Sequence, residues 1–147
     1  MTGQLHLLAR IGDNLVAMPA QQIEAVVRVP DTMPVPGAPD FVCGLVTIRS
    51  RILTLIDPAL LVGERVAGER RAKFMATMNV GGHGYALLLD DVSDVIALPE
   101  PEQMPVPMQD GWATLEPMLI DFRGALVLLV DPARLIGMTF DPLAAAA

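Results

Sequence analysis

Apolar residues fall in short runs, broken every few positions by Gly, Pro or charge. Leu5–Ile11 and Leu15–Met18 flank Gly12-Asp13-Asn14, the signature of a hairpin turn. Phe74–Val80 and Tyr85–Leu89 flank Gly81-Gly82-His83-Gly84 in the same way. Val26–Val29, Val42–Ile48 and Ile52–Ile56 read as further short strands between Pro and Gly boundaries. Asp57-Pro58 and Asp131-Pro132 each read as a helix start, because Asp caps orphan N–H groups and Pro suits the first helical position. Gly63 and Gly137 suit the residue just past each helix end. Many short strands with frequent Gly and Pro predict an all-β protein built as small barrels, which leave few open sheet edges.

The pattern occurs twice. Ile48–Gly63 (IRSRILTLIDPALLVG) returns as Phe122–Gly137 (FRGALVLLVDPARLIG), 122 − 48 = 74 positions on, with Arg, Asp, Pro and Gly in matching places. Upstream, Arg10–Asp31 aligns with Asn79–Glu100 at an offset of 79 − 10 = 69. The tetrapeptide MPVP recurs at Met33–Pro36 and Met104–Pro107, where Met33 and Met104 read as packing residues. The expected organisation is one domain with a core over about 5–137. Its first half covers about 5–63 and its second about 73–137, divided in the polar stretch Gly63–Arg71. Each half alone is near the size at which a core becomes marginal, so the two are expected to share one.

Composition narrows the function. Across 147 residues, 10 basic groups stand against 17 acidic ones, a net charge of −7 that argues against a nucleic-acid partner. Lys73 is the single lysine, so no polybasic membrane patch exists. Hydrophobic residues make up 52%, yet no apolar run approaches the roughly 20 residues of a membrane-spanning helix. No basic region followed by an apolar stretch opens the sequence, so no secretory signal is expected. One Cys fits a reducing cytoplasm.

Candidate chemistry is sparse. His6 alternates with Leu5 and Leu7 and is expected to face solvent; His83 sits in a Gly-rich turn without the Lys-Ser/Thr of a phosphate loop. Cys43, among Phe41, Val42 and Leu45, reads as an inert packing residue. Asp90, Asp91 and Asp94 form the best metal-like cluster but lack calcium-loop spacing, so a solvated edge is expected and a small-ligand or metal-binding module remains an alternative. No catalytic residue, cofactor or metal site is expected. Arg49 and Arg51 remain: cations between two strands, able to bracket a partner through charge-assisted bonds or to be ordinary turn residues.

Val35–Asp57, VPGAPDFVCGLVTIRSRILTLID, resembles the CheW family in its Pro-Gly-Ala-Pro turn, aromatic, Gly, Asn-Leu-Arg-Gly-like turn and apolar strand ending in Asp. Gly84–Val95, GYALLLDDVSDV, is similar to the family's second-half pattern, and the resemblance runs from about Leu5 to Ile136. It implies two SH3-like five-stranded barrels packed as one pseudo-duplicated CheW-like domain. It also implies a non-enzymatic cytoplasmic adaptor that couples a chemoreceptor tip to the regulatory domain of the histidine kinase CheA, at membrane-associated receptor arrays and without membrane insertion. A divergent scaffold of a pilus, gliding or regulatory pathway is the alternative. The implied receptor groove uses Ile23, Gly44, Thr47 and Arg49. Three positions depart from the pattern: Thr47 replaces the family Asn, Ser50 replaces a Gly and implies a relaxed or different turn, and Ala25 replaces the Glu that would partner Arg49. Glu24 is adjacent, but successive strand residues point to opposite faces, whereas Asp94 keeps an acid at the second-half equivalent of Ala25.

Overall fold

The computed structural model describes residues 4–63, 72–98 and 118–138. Among the described residues, ten strands and two short helices follow the order β1 (Gln4–Ile11), β2 (Asn14–Pro19), β3 (Ala25–Arg28), β4 (Val42–Ile48), β5 (Arg51–Ile56), α1 (Pro58–Leu61), β6 (Phe74–Val80), β7 (His83–Leu89), β8 (Asp91–Leu98), β9 (Met118–Phe122), β10 (Ala125–Leu129) and α2 (Pro132–Gly137). A single 3₁₀ turn, Ala20–Gln22, joins β2 to β3. The protein is mostly β, in two five-stranded sheets with few short helices. The second MPVP, at 104–107, lies outside the described residues.

Four two-residue turns set the hairpins. Ile11 pairs with Asn14, Ile48 with Arg51, Val80 with His83, and Phe122 with Ala125. Such turns need left-handed residues because their twist must match that of the strands. Gly12, Gly81, Gly82 and Gly124 supply positive φ at three of them. The β6–β7 turn is only Gly81-Gly82, so His83 is the first residue of β7 and not part of a wider Gly-rich turn.

The two helix starts are built as the sequence predicts. Asp57 accepts from the Ala59 N–H at 3.1 Å, and Asp131 from the Ala133 N–H at 3.0 Å, each followed by Pro in the first turn. Gly63 follows α1 at φ +85. Gly137 differs from the expectation, since it is the last residue of α2, and the cap is Met138 in a right-handed conformation. Nothing forces that glycine to stop the helix, because the chain continues αR for a further residue.

The sheets exchange strands between the two halves of the chain. One sheet has the order β8-β1-β2-β10-β9, the other β3-β6-β7-β5-β4. The repeat relates β1–β2 to β6–β7 and β3–β4–β5 to β8–β9–β10, so both orders are the same arrangement with the halves swapped. The hairpin β1–β2 from the first half is completed by three strands of the second, and β6–β7 by three strands of the first. Two parallel pairings close the exchange, β10 with β2 and β5 with β7.

Burial follows from this arrangement. The central hairpins are covered on both faces. Leu7, Ala9, Ile11, Val16 and Met18 meet Ala76, Met78, Tyr85, Leu87 and Leu89 in one joint core, completed by Ile56, Val130, Leu135 and Ile136. The opposite faces line two smaller cores, Leu8, Ala17, Leu98, Ile120 and Val127 in one sheet and Val46, Leu53, Leu55, Met75 and Ala86 in the other. Much of the apolar content of the described residues is thus buried in three cores. Burial also raises the Tyr85 hydroxyl above its ordinary pKa, so the joint core holds a neutral phenol.

His6 is a correction. It is 5% exposed rather than solvent-facing, and its Nδ1 lies 2.8 Å from the Gln4 carbonyl oxygen, which accepts. Alternation implies a wet face only for a strand covered on one side. β1 lies between β8 and β2, with apolar packing above and below it.

A candidate partner pocket at the β4–β5 turn

β4 and β5 end in the turn Arg49-Ser50, with φ +49 and +66. Both central residues are thus left-handed, as this hairpin geometry requires, but neither is the Gly or Asn that adopts it without strain. The expectation that Ser50 relaxes the turn is not met: the twist of the two paired strands fixes the backbone, and the serine complies. Replacing Ser50 with Gly is expected to raise stability by about 1 kcal/mol and the melting temperature by about 3 °C, read by a thermal melt. The matching turn of the second half is Arg123-Gly124, which already carries the glycine.

The turn holds Arg49 over a pocket of about 140 Å³ lined by Glu24, Ala25, Val27, Ile48, Arg49, Arg51, Leu53 and Thr77. The floor is apolar and the rim charged. Leu53 is seated by Gly84 of the neighbouring strand, where any Cβ would overlap the leucine side chain. Arg51 Nη1 donates to Glu24 Oε2 at 2.7 Å, with side chains 47% and 44% exposed, and this ion pair crosses the mouth from the start of β3 to the start of β5. At that exposure the pair contributes at most about 1 kcal/mol, so it shapes the rim more than it stabilises the fold.

Glu24 lines the pocket beside Ala25, which corrects the strand-parity expectation. β3 begins at Ala25, and Glu24 lies just before it, with its N–H donating to the Thr77 carbonyl at 2.8 Å. Alternation does not apply outside the strand. The acid of the first half therefore sits one residue before Ala25 and pairs with Arg51 instead of Arg49. Among the described residues no acid is paired with Arg49.

The four residues of the implied groove do not converge. Arg49 lines the pocket. Ile23 packs against the joint core. Thr47 is exposed on the other face of β4, opposite Ile52. Gly44 is buried at a bulge in β4, with φ +147, where a Cβ would overlap the Met33 carbonyl oxygen and come within 2.8 Å of Thr32 Cγ2. Met33 uses its backbone, exchanging 2.8 Å hydrogen bonds with Leu45, while its side chain is 66% exposed rather than packed. Val27, Ile48, Leu53 and Thr77 also line the pocket and were not singled out from the sequence. The repeat carried a signal for one of them: its 74-position offset places Ile48 opposite Phe122.

The other candidates resolve locally. Asp90 accepts from the Gly12 N–H at 2.8 Å and so ties the β1–β2 turn to the start of β8. Asp91 and Asp94 each accept from the next residue's N–H. Among the described residues no group of three His, Cys, Asp or Glu side chains could hold a metal ion, and no helix is long and apolar enough to cross a membrane. Cys43 is partly buried against the core of its own sheet.

Two sheets with one strand order, completed by strand exchange and sharing a central core, define a duplicated double-sheet β domain with a shallow pocket at one hairpin tip. The chain belongs to the CheW-like domain family, whose model matches residues 5–140. It is 24% identical over 132 residues to a protein named chemotaxis protein CheW from Rhizobium meliloti (strain 1021), covering 88% of this chain and 85% of that one. It is likewise 24% identical over 126 residues to a chemotaxis protein CheW from Thermotoga maritima, covering 86% and 83%. The crystal structure of the scaffolding protein TtCheW from Thermoanaerobacter tengcongensis superposes with a TM-score of 0.78 at 20% identity, over 92% of this chain and 88% of that one.

Proposed function

We propose that the chain is a non-enzymatic adaptor of a chemotaxis-type signalling complex, holding a chemoreceptor tip and the regulatory domain of a CheA-type histidine kinase in fixed relative geometry at a cytoplasmic receptor array. The observation that carries this is the family match across residues 5–140. The pocket supports it physically. An apolar floor with a charged rim suits an amphipathic helix laid against a groove, with a few side chains inserted. Arg49 is a reasonable anchor because a guanidinium offers a rigid fork of donors and is held on a turn braced by two strands. Transmission would run through packing, since the joint core binds both sheets into one body.

Purified protein mixed with the kinase regulatory domain and receptor-tip hairpins from its own genome tests the assignment by size-exclusion chromatography. Co-elution with both is expected. Arg49→Glu is expected to weaken receptor capture by at least about tenfold while leaving the melting temperature unchanged. No association of the wild-type chain with either partner would refute it. The displaced acid at the pocket rim favours a second version of the same role, an adaptor for a receptor of a non-chemotaxis chemosensory pathway. Tips from both kinds of receptor belong in the same experiment.

A further inference from the structure

Among the described residues the chain passes between the two sheets twice, and the two passages are built differently. From β2 to β3 it takes five residues, Ala20–Glu24, including the 3₁₀ turn, in which no residue is buried. Gln22 Oε1 ties this passage to α2 by accepting from the Ala133 N–H at a long 3.4 Å. From β7 to β8 the chain takes one residue, Asp90. Leu89, just before it, is fully buried in the joint core.

Asp90 is fastened twice to the β1–β2 hairpin. Its N–H donates to the Arg10 carbonyl at 2.9 Å, and its Oδ1 accepts from the Gly12 N–H at 2.8 Å, 78 residues away in sequence. Two other hairpin tips find a side-chain acceptor within their own hairpin. Asn79 Oδ1 takes the Gly82 N–H at 3.1 Å, and Asp121 Oδ1 takes the Gly124 N–H at 3.0 Å. Both acceptors stand next to last in the first strand of their hairpin. The β1–β2 hairpin has Arg10 at that place, and a guanidinium only donates. The acceptor at this tip therefore comes from the crossover.

A hydrogen bond to a carboxylate is directional and among the stronger kinds. Apolar burial has no preferred direction. The joint core thus holds the sheets together, and the bonds at the crossovers fix how one is turned on the other. A single doubly bonded residue makes the β7–β8 passage the pivot, and the five residues Ala20–Glu24 are the segment that absorbs a rotation.

We infer that Asp90 is a positioning residue of the adaptor. By clamping the β1–β2 tip to the β7–β8 crossover it fixes the angle between the sheets, and with it the relative placement of partners held on each. The consequence for partners rests on the adaptor assignment, whereas the clamp does not.

The full-length chain with Cys43→Ser, Ile52→Cys and Leu126→Cys carries one spin label on each sheet, at exposed positions of β5 and β10. Double electron–electron resonance then reads the distance distribution between the sheets. With Asp90 in place a single narrow peak is expected, and Asp90→Ala is expected to broaden it at least about twofold. Asp90→Asn keeps an oxygen that can accept from Gly12 and is expected to restore the narrow peak. Asp91→Ala removes a carboxylate that accepts from the neighbouring Val92 N–H and is expected to leave the width unchanged. A merely structural Asp90 would lower the melting temperature in Asp90→Ala without changing the width. Equal widths for wild type and Asp90→Ala, or Asp90→Asn as broad as Asp90→Ala, would overturn the inference. Hydrogen exchange of the wild-type chain needs no variant: the Gly12 amide is expected to exchange at least about tenfold more slowly than those of Gly82 and Gly124, and equal rates would overturn the clamp. With partners present, Asp90→Ala is expected to capture each within about twofold of wild type yet couple them at least about threefold less. Undiminished coupling by a broadened chain would overturn the positioning role. The label and exchange measurements use no partner. Failure of the kinase and receptor mixture would thus remove the adaptor assignment and leave the clamp, and failure here would remove the clamp alone.

Discussion

Cutting the chain between Gly63 and Ala72 is expected to leave neither half folded. The first half would keep β1–β2 and β3–β4–β5, but these do not pair with each other. β1–β2 needs β8 and β10, and β5 and β3 need β7 and β6. Both isolated halves would expose their share of the joint core, where Leu87, Met18, Ile56 and Ile136 are fully buried. A domain of this size is stable by only about 5–15 kcal/mol in total, and the loss of that core exceeds any such margin. Circular dichroism of the separate halves should show no cooperative melt, and mixing them should restore one. Two independently melting halves would mean that each builds its own barrel from its own strands.

Replacing Gly44 with Val is expected to cost about 3 kcal/mol or more and to lower the melting temperature by roughly 10 °C. Two effects act together. At φ +147 an L-residue is strained whatever the space, and here the Cβ overlaps the Met33 carbonyl oxygen, which itself accepts from the Leu45 N–H. The clash is with backbone, so no rotamer relieves it. Met33 would have to leave the edge of β4, which exposes that edge. A thermal melt of Gly44→Val beside Ser50→Gly separates the two turn-proximal substitutions by sign. If both left stability unchanged, the strain argument at this hairpin would be wrong. Gly44 shapes the β4 bulge through its backbone.

Local features were legible in the sequence and long-range ones were not. The two Asp-Pro caps, the hairpin at Gly12 and the limits of β4 and β6 depend on a few neighbouring residues, and each falls where the pattern puts it. The repeat implied two equivalent units, and strands of both line the joint core. It could not show that each sheet borrows strands across the repeat, because pairing of β2 with β10 or β5 with β7 leaves no mark in either strand's own pattern. His6 was misplaced for that reason, since its alternation with leucines looks the same on a half-covered strand and on a doubly covered one. At the pocket, Arg49 was legible as a turn cation. Its surroundings were not, because Glu24 lies just before β3, where strand alternation does not set a side chain's direction, and it reaches Arg51.

Kinase autophosphorylation in a mixture of receptor tips and CheA-type kinase, measured with and without this chain, tests coupling most directly. The kinase rate is expected to follow the receptor's state only when the wild-type chain is present, and Arg49→Glu, though folded, is expected largely to lose this effect. A rate equally coupled without the chain, or fully supported by Arg49→Glu, would contradict it.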